Sequence, residues 1–174
     1  MKGSLERLNV NFTDFIYESA VVEDGSLWDV INGLKKSPLC KEDDGAYYLD
    51  LSDQIKGGDD ERFKRRFVFT RSDGSALYTT RDLAYHKWKL DNCDHAINIL
   101  GEDHRYQSQM LSLSLKELGS NNLPEAVFYA FVSLPEGKMS TRRARVVFLD
   151  DLLDEAVERA REEVEKRRDD LTED

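Results

Sequence analysis

Residues 96–134, AINILGEDHRYQSQMLSLSLKELGSNNLPEAVFYAFVSL, decide the fold. Residues 96–100 are a short, mostly apolar run of the kind found in a buried strand. Gly101-Glu102-Asp103-His104 follows at once. Over residues 103–118, Met110, Leu111, Leu113, Leu115 and Leu118 mark a helix, with Gly119 placed to cap its C-terminus. Residues 127–134 read as the next strand. Strand, helix and strand at this spacing make a right-handed parallel crossover, and hence an α/β fold. In such sheets ligands sit beyond the carboxyl ends of the strands, at the loops leading into helices.

The next stretch, residues 131–149, reads FVSLPEGKMSTRRARVVFL. Its apolar run stops at Pro135, and a short loop then carries Lys138, Arg142, Arg143 and Arg145 with the hydroxyls of Ser140 and Thr141. A second apolar run leads to Asp150 and Asp151, which open a helix to about residue 168 with a highly charged tail. The chain carries a formal net charge of -10, so cations gathered in one loop stand out. They suit a polyanion, and phosphate groups are the commonest small one.

Upstream, Phe15-Ile16-Tyr17 and Ala20-Val21-Val22 are β-prone pieces. Ser26 is a good N-cap, with Asp29 three residues on, for a helix over residues 27–36 stopped by Pro38. Residues 41–45 read as a charged loop and 46–51 as a strand. Gly57-Gly58-Asp59-Asp60 is the clearest flexible linker. Residues 67–70 and 76–79 flank Ser72-Asp73-Gly74-Ser75 as a β-hairpin. Thr79 or Thr80 then caps a helix from Arg81 to about Leu90. Leu5-Glu6-Arg7-Leu8-Asn9-Val10 looks like the middle or end of an amphipathic helix almost directly after Met1, so an excised fragment is the expectation.

At 174 residues, 40% hydrophobic and 34% charged, the chain suits one soluble globular domain, with or without a small appendage. The acidic balance argues against broad nonspecific nucleic-acid binding, though a local basic patch can still touch RNA. Cys40 and Cys93 are far apart and have no CxxC partner, so they read as reduced thiols rather than a zinc framework. No run approaches the ~18 apolar residues of a membrane span, and the cytoplasm is the expected compartment.

Three polar clusters fall at the strand-to-helix edge: Tyr78 with Asp82, Gly101 with Asp103 and His104, and the Lys138 loop. Each has an ordinary alternative. Tyr78 reads equally as a packed strand aromatic, Asp82 as a carboxylate favouring a helix N-terminus, residues 101–103 as a turn, and the basic loop as solvated surface. Together they describe a cleft with carboxylates for a cation and cations for phosphates. Two carboxylates beside an aromatic face suit a guanidinium, which is planar and able to stack.

Lys138-Met139-Ser140-Thr141-Arg142 resembles the KMSKS signature of class I aminoacyl-tRNA synthetases. Leu5 to Val10, Glu18-Ser19, Ser72-Asp73-Gly74 with Leu77-Tyr78-Thr79-Thr80-Arg81-Asp82-Leu83-Ala84-Tyr85, Gly101-Glu102-Asp103-His104 and the lysine loop resemble, in order, segments of arginyl-tRNA synthetases. The resemblance covers nearly the whole chain. It implies ATP-dependent activation of arginine and transfer to its tRNA, on a Rossmann-like parallel-sheet catalytic domain. By that resemblance Tyr78, Asp82 and Asp103 line the arginine side-chain pocket. Gly101, His104, Val132, Lys138, Met139 and Ser140 meet ATP. Lys138 is the catalytic residue, stabilising charge on the pyrophosphate, and Mg2+ accompanies ATP without a dedicated protein cage.

The sequence also departs from that pattern. His86, His95 and His104 are its only histidines, and none has the His-x-Gly-His setting. Arg143-Ala144 stands where the family shows a basic residue and glycine. The expected layout is an α+β insertion over residues 1–58, the second half of a nucleotide-binding fold over 59–150, and a helix over 151–174 leading to an anticodon-binding domain. The chain alone is expected to be catalytically silent. Another class I nucleotidyl transferase with a different substrate, and a non-enzymatic interaction module derived from a synthetase, remain the alternatives.

Overall fold

The computed structural model describes residues 2–55, 65–130, 133–134, 137–138 and 147–168. Along the chain run α1 (Lys2–Arg7), α2 (Glu18–Glu23), α3 (Ser26–Lys35), β1 (Cys40–Asp43), β2 (Ala46–Asp50) and β3 (Arg66–Val68). Then come α4 (Tyr78–Asp91), β4 (Ile97–Gly101), a single 3-10 turn (Glu102–His104), α5 (Arg105–Glu117), β5 (Glu125–Tyr129), β6 (Ser133–Leu134), β7 (Gly137–Lys138) and α6 (Leu149–Glu165). These form two compact units, Ile16–Ala130 and Met1–Phe15 with Phe131–Asp174.

In the larger unit β4 and β5 pair in parallel, with Ile97 opposite Glu125 and Gly101 opposite Tyr129. The helix between them is α5, as the crossover pattern predicts. Its Met110, Leu111 and Leu115 are buried, and Gly119 leaves it at φ +82° while Ser120 N–H donates to the Leu115 carbonyl. Expected as a fully buried strand, β4 is covered on one face only. Asn98 is buried, whereas Ile97 and Ile99 are 52% and 63% exposed beside exposed Val127. With helices packed on one side, alternation exposes the other.

The core joins α2 and α3, the antiparallel sheet β1-β2-β3, α4 and α5 through Leu34, Leu49, Phe69, Leu83 and Leu115, each fully enclosed. The spacing of Leu27, Val30, Ile31 and Leu34 buries one stripe of α3, as the sequence predicts. Several local expectations give way. Ala20-Val21-Val22 is helical in α2, because burying Val21 alone suits one inward turn. Gly25, at φ +87°, is the N-cap of α3, while Ser26 N–H donates to the Asp24 carboxylate at 2.8 Å. Residues 41–43, part of the expected charged loop over 41–45, instead pair with β2 in an edge strand that begins at Cys40. The two-residue turn Asp44-Gly45 has φ +50° and +77°, the type I′ hairpin geometry.

The hairpin expected around Asp73-Gly74 shrinks to one antiparallel bridge, Thr70 to Ala76. Helix α4 begins at Tyr78, before the expected caps. Thr79 and Thr80 instead donate their hydroxyls to the Val68 and Phe69 carbonyls, the latter at 2.6 Å in the buried core. These bonds tie the start of α4 to β3.

A surface ion pair bridges β1 and β2. Lys41 Nζ donates to Asp50 at 2.6 Å, and the Ser52 hydroxyl and N–H add two more bonds. Chiefly through Lys41, the Asp50 carboxyl falls from 3.8 to about 2. A depressed carboxylate stabilises the fold above its ordinary value and loses that contribution as pH falls through its folded value. Discounted for solvent screening, the contribution is about 1 kcal/mol. The stability gap between wild type and Asp50→Asn in denaturant titrations should therefore shrink as pH falls from about 3.8 to about 2. A gap unchanged over that window contradicts the assignment.

In the smaller unit α1 docks on the start of α6. Arg7 pairs with Asp150 at 2.8 Å and Asp154 at 2.5 Å, and Ser4 donates to Asp150 at 2.7 Å. Hydrogen bonds from Ser4 and then Arg7 hold the Asp150 carboxyl below its ordinary range. Strands β6 and β7 pair antiparallel, Ser133 opposite Lys138. The strand expected over residues 127–134 thus ends at Tyr129, and the Lys138 backbone is extended rather than in a loop. The expected linker at 57–60 lies outside the described residues.

Candidate functional site

Tyr78 and Asp82 lie one turn apart on α4, with Tyr85 and His86 on the next turn. Asp82 is the fifth helical residue, so service at the helix N-terminus is not its role. Three adjoining surface cavities share both residues. One, of about 260 Å³, adds Ile16, Glu18, Arg81 and Tyr85. The second, about 290 Å³, is walled by Phe67, Tyr106, Gln107 and Met110 among others. The third, about 310 Å³, includes Tyr85, His86, Asn98, His104 and Gln107. Tyr78 is 73% exposed, so it is a residue offered to solvent rather than a packed strand aromatic.

The carboxylates here are not spent equally. Glu18 lies 3.4 Å from Arg81. The Asp82 side chain is 42% exposed, and its Oδ1 stands 3.2 Å from His86 Nδ1. The 3-10 turn after β4 brings His104 to the cavity, where its Nδ1 lies 2.6 Å from Gln107 Oε1. Asp103 does not line any of the three cavities. Its exposed carboxylate lies 3.9 Å from His104 Nε2. It also occupies the space beside Gly101, where an added Cβ would meet Asp103 Oδ1 at 2.8 Å.

Glu18 and Gln107 are among the lining residues that reading the sequence for a site did not name. Gln107 follows His104 by three residues, a spacing that places both on one helical face. Glu18 stands out in the sequence, with Ser19, only as a segment of resemblance, between two pieces that read as β-prone, and is given no role in the site there. Of the lysine signature, the Lys138 backbone is in β7, while its side chain and Val132, Met139 and Ser140 lie outside the described residues. Among the described residues no group of three or more His, Cys, Asp or Glu side chains could hold a metal ion. Cys40 and Cys93 are free thiols. Among the described residues no helix is long and apolar enough to cross a membrane.

An α/β chain with a parallel crossover and this polar cleft at its sheet edge fits a class I synthetase catalytic domain. Residues 2–174 match the family model described as "tRNA synthetases class I (R), catalytic domain", and the chain belongs to that family. It is 53% identical over 172 residues to the arginine–tRNA ligase of Methanocella arvoryzae, covering 99% of this chain and 29% of that protein. With the arginine–tRNA ligase of Halorubrum lacusprofundi it shares 46% identity, covering 98% of this chain and 27% of that protein. The chain thus spans less than a third of the curated relatives it matches. Its fold superimposes on Thermus thermophilus arginyl-tRNA synthetase with a TM-score of 0.78 at 23% identity, over 99% of this chain and 34% of that one. The Plasmodium falciparum arginyl-tRNA synthetase gives 0.70 at 21% identity, over 95% and 26%.

Proposed function

We propose that this chain supplies the amino-acid side of arginine activation and arginine–tRNA ligation in a longer enzyme, with arginine, ATP and its tRNA as substrates. The observation that carries this reading is the pairing of an exposed Tyr78 ring with the Asp82 carboxylate in all three cavities. A guanidinium stacks on the ring and donates N–H groups to the carboxylate, and Gln107 Oε1 or Glu18 can accept from its remaining N–H groups. Asp103, outside the lining, adds negative field from the 3-10 turn rather than contact.

Gly101, His104, Val132, Met139 and Ser140 are assigned to ATP, and Lys138 to the charge that develops on the pyrophosphate. Mg2+ enters bound to ATP oxygens rather than to a dedicated protein cage. Residues 1–58 serve as the α+β insertion, 59–150 as half of the nucleotide fold and 151–174 as the helix leading onward. Acting alone, the chain should show no arginine-dependent ATP–pyrophosphate exchange.

Arginine and lysine carry the same charge but differ in shape, so they test the pocket directly. Titration calorimetry should give at least about tenfold tighter binding for L-arginine, about 1.4 kcal/mol. Equal affinities would remove the guanidinium reading and favour a related transferase with another substrate.

A further inference from the structure

We propose that Lys89, Asn98 and His86 form a positioning relay behind this cavity, which fixes the neutral His86 ring as its Nδ1–H tautomer and aims that proton at Asp82. The relay deepens the arginine reading and rests on it for the ligand, but the tautomer stands on the protein's own geometry.

Helix α4 carries Asp82, His86 and Lys89 on successive turns of one face, and β4 presents Asn98 to them. Lys89 Nζ lies 2.5 Å from Asn98 Oδ1, and Asn98 Nδ2 lies 2.9 Å from His86 Nε2. His86 Nδ1 then lies 2.8 Å from the Asp82 carbonyl oxygen and 3.2 Å from its Oδ1. His86 and Asn98 are 7% and 8% exposed, so water does not substitute for these partners.

The direction of every bond follows from Lys89. An ammonium only donates, so the Asn98 atom facing it must be oxygen. The amide nitrogen therefore faces His86, and an amide NH2 also only donates. Nε2 must offer a lone pair, which leaves the neutral ring's proton on Nδ1. An asparagine orientation ordinarily inferred from its surroundings is here forced by the chemistry of its neighbour. Burial lowers the Lys89 pKa, while the nearby Asp82 charge acts to raise it.

The other groups around His86 do not compete for Nε2. Tyr85 meets the ring edge-on at 5.8 Å. His104 and Gln107, across the same cavity, bond to each other. The consequence falls on Asp82: the Nδ1–H donates to its main-chain carbonyl and sets the positive end of that N–H beside its carboxylate, whose charge remains available to a cation in the cavity. A doubly protonated His86 would pair with Asp82 and compete with that cation.

The sequence has three histidines, so two-bond nitrogen–proton correlation spectra of labelled chain can resolve the His86 tautomer. Wild type should show the Nδ1–H form. Asn98→Asp keeps the acceptor for Lys89 but turns the donor facing His86 into an acceptor. Nε2 should then carry a proton, and the Kd for L-arginine should rise about tenfold. If that variant fails to fold, Lys89→Met serves instead: freed of the ammonium, the Asn98 amide can rotate, and a mixture of tautomers should appear. An Nε2–H wild type overturns the relay. So does a pure Nδ1–H ring in either variant, or a changed tautomer in Asn98→Asp with unchanged arginine affinity. An Nδ1–H wild type that binds no arginine supports the relay and overturns only the arginine reading.

Discussion

Replacing Asp82 by alanine should raise the Kd for L-arginine about thirtyfold, a loss of about 2 kcal/mol. Removing one partner of a charge pair costs more when the pair is dry, and the 42% exposure of this side chain sets the expectation at the low end. Stability should change little, because Asp82 is solvent-facing and packs no core. Calorimetry on the variant reads the first quantity and a denaturant midpoint the second. Affinity within twofold of wild type would mean that the ligand's cation is held elsewhere, with Glu18 the next carboxylate in the cavity.

Phe69→Ala should cost about 3–5 kcal/mol of stability, a large part of the ~5–15 kcal/mol that holds a domain together. Phe69 is fully enclosed where the antiparallel sheet meets α4. Its N–H bonds the Tyr47 carbonyl and its carbonyl accepts the Thr80 hydroxyl, so the backbone on either side is already committed. Little collapse can fill the void, and the melting temperature should fall by about 10 °C. Because Thr80 sits between Tyr78 and Asp82, loosening this joint should also weaken arginine binding in the surviving folded fraction. A loss under about 1 kcal/mol would show that the core closes over the gap.

How much of this was legible depends on whether the signal was local. The crossover β4–α5–β5 was readable because a strand-length apolar run, a helical stripe and Gly119 agree with one another. Helix α3 was readable for the same reason. Residues 18–23 were not, because β-branched Val21 and Val22 favour a strand locally. Val21 is buried in a helix only through packing that reaches beyond its neighbours. The two Asp-Gly pairs are instructive: Asp44-Gly45 makes the tight hairpin, while Asp73-Gly74 sits in a longer loop. What separates them is the register of the flanking strands, since Tyr78 is drawn into α4 by hydroxyl bonds to β3.

The candidate site divides in the same way. Tyr78 and Asp82 were picked out as a strand-end aromatic and a helix-start carboxylate, and they share a cleft for another reason, their spacing on one helix. Gln107 and Glu18 come from separate elements that only tertiary packing assembles. Asp103 was placed with Asp82 by resemblance, yet the 3-10 turn points it towards Gly101 and His104 rather than into the cavities. The relay behind the site was invisible in the sequence, where Lys89, Asn98 and His86 are unremarkable on their own.

The central claim is that the Tyr78–Asp82 cleft recognises a guanidinium by its charge. The most direct measurement is paired calorimetric titration of the chain with L-arginine and L-citrulline, whose side chains match in length and shape but differ in charge. Saturable binding of arginine, with citrulline weaker by about thirtyfold or more, is the predicted result. Equal affinity for the two, or saturable binding of neither, would contradict it.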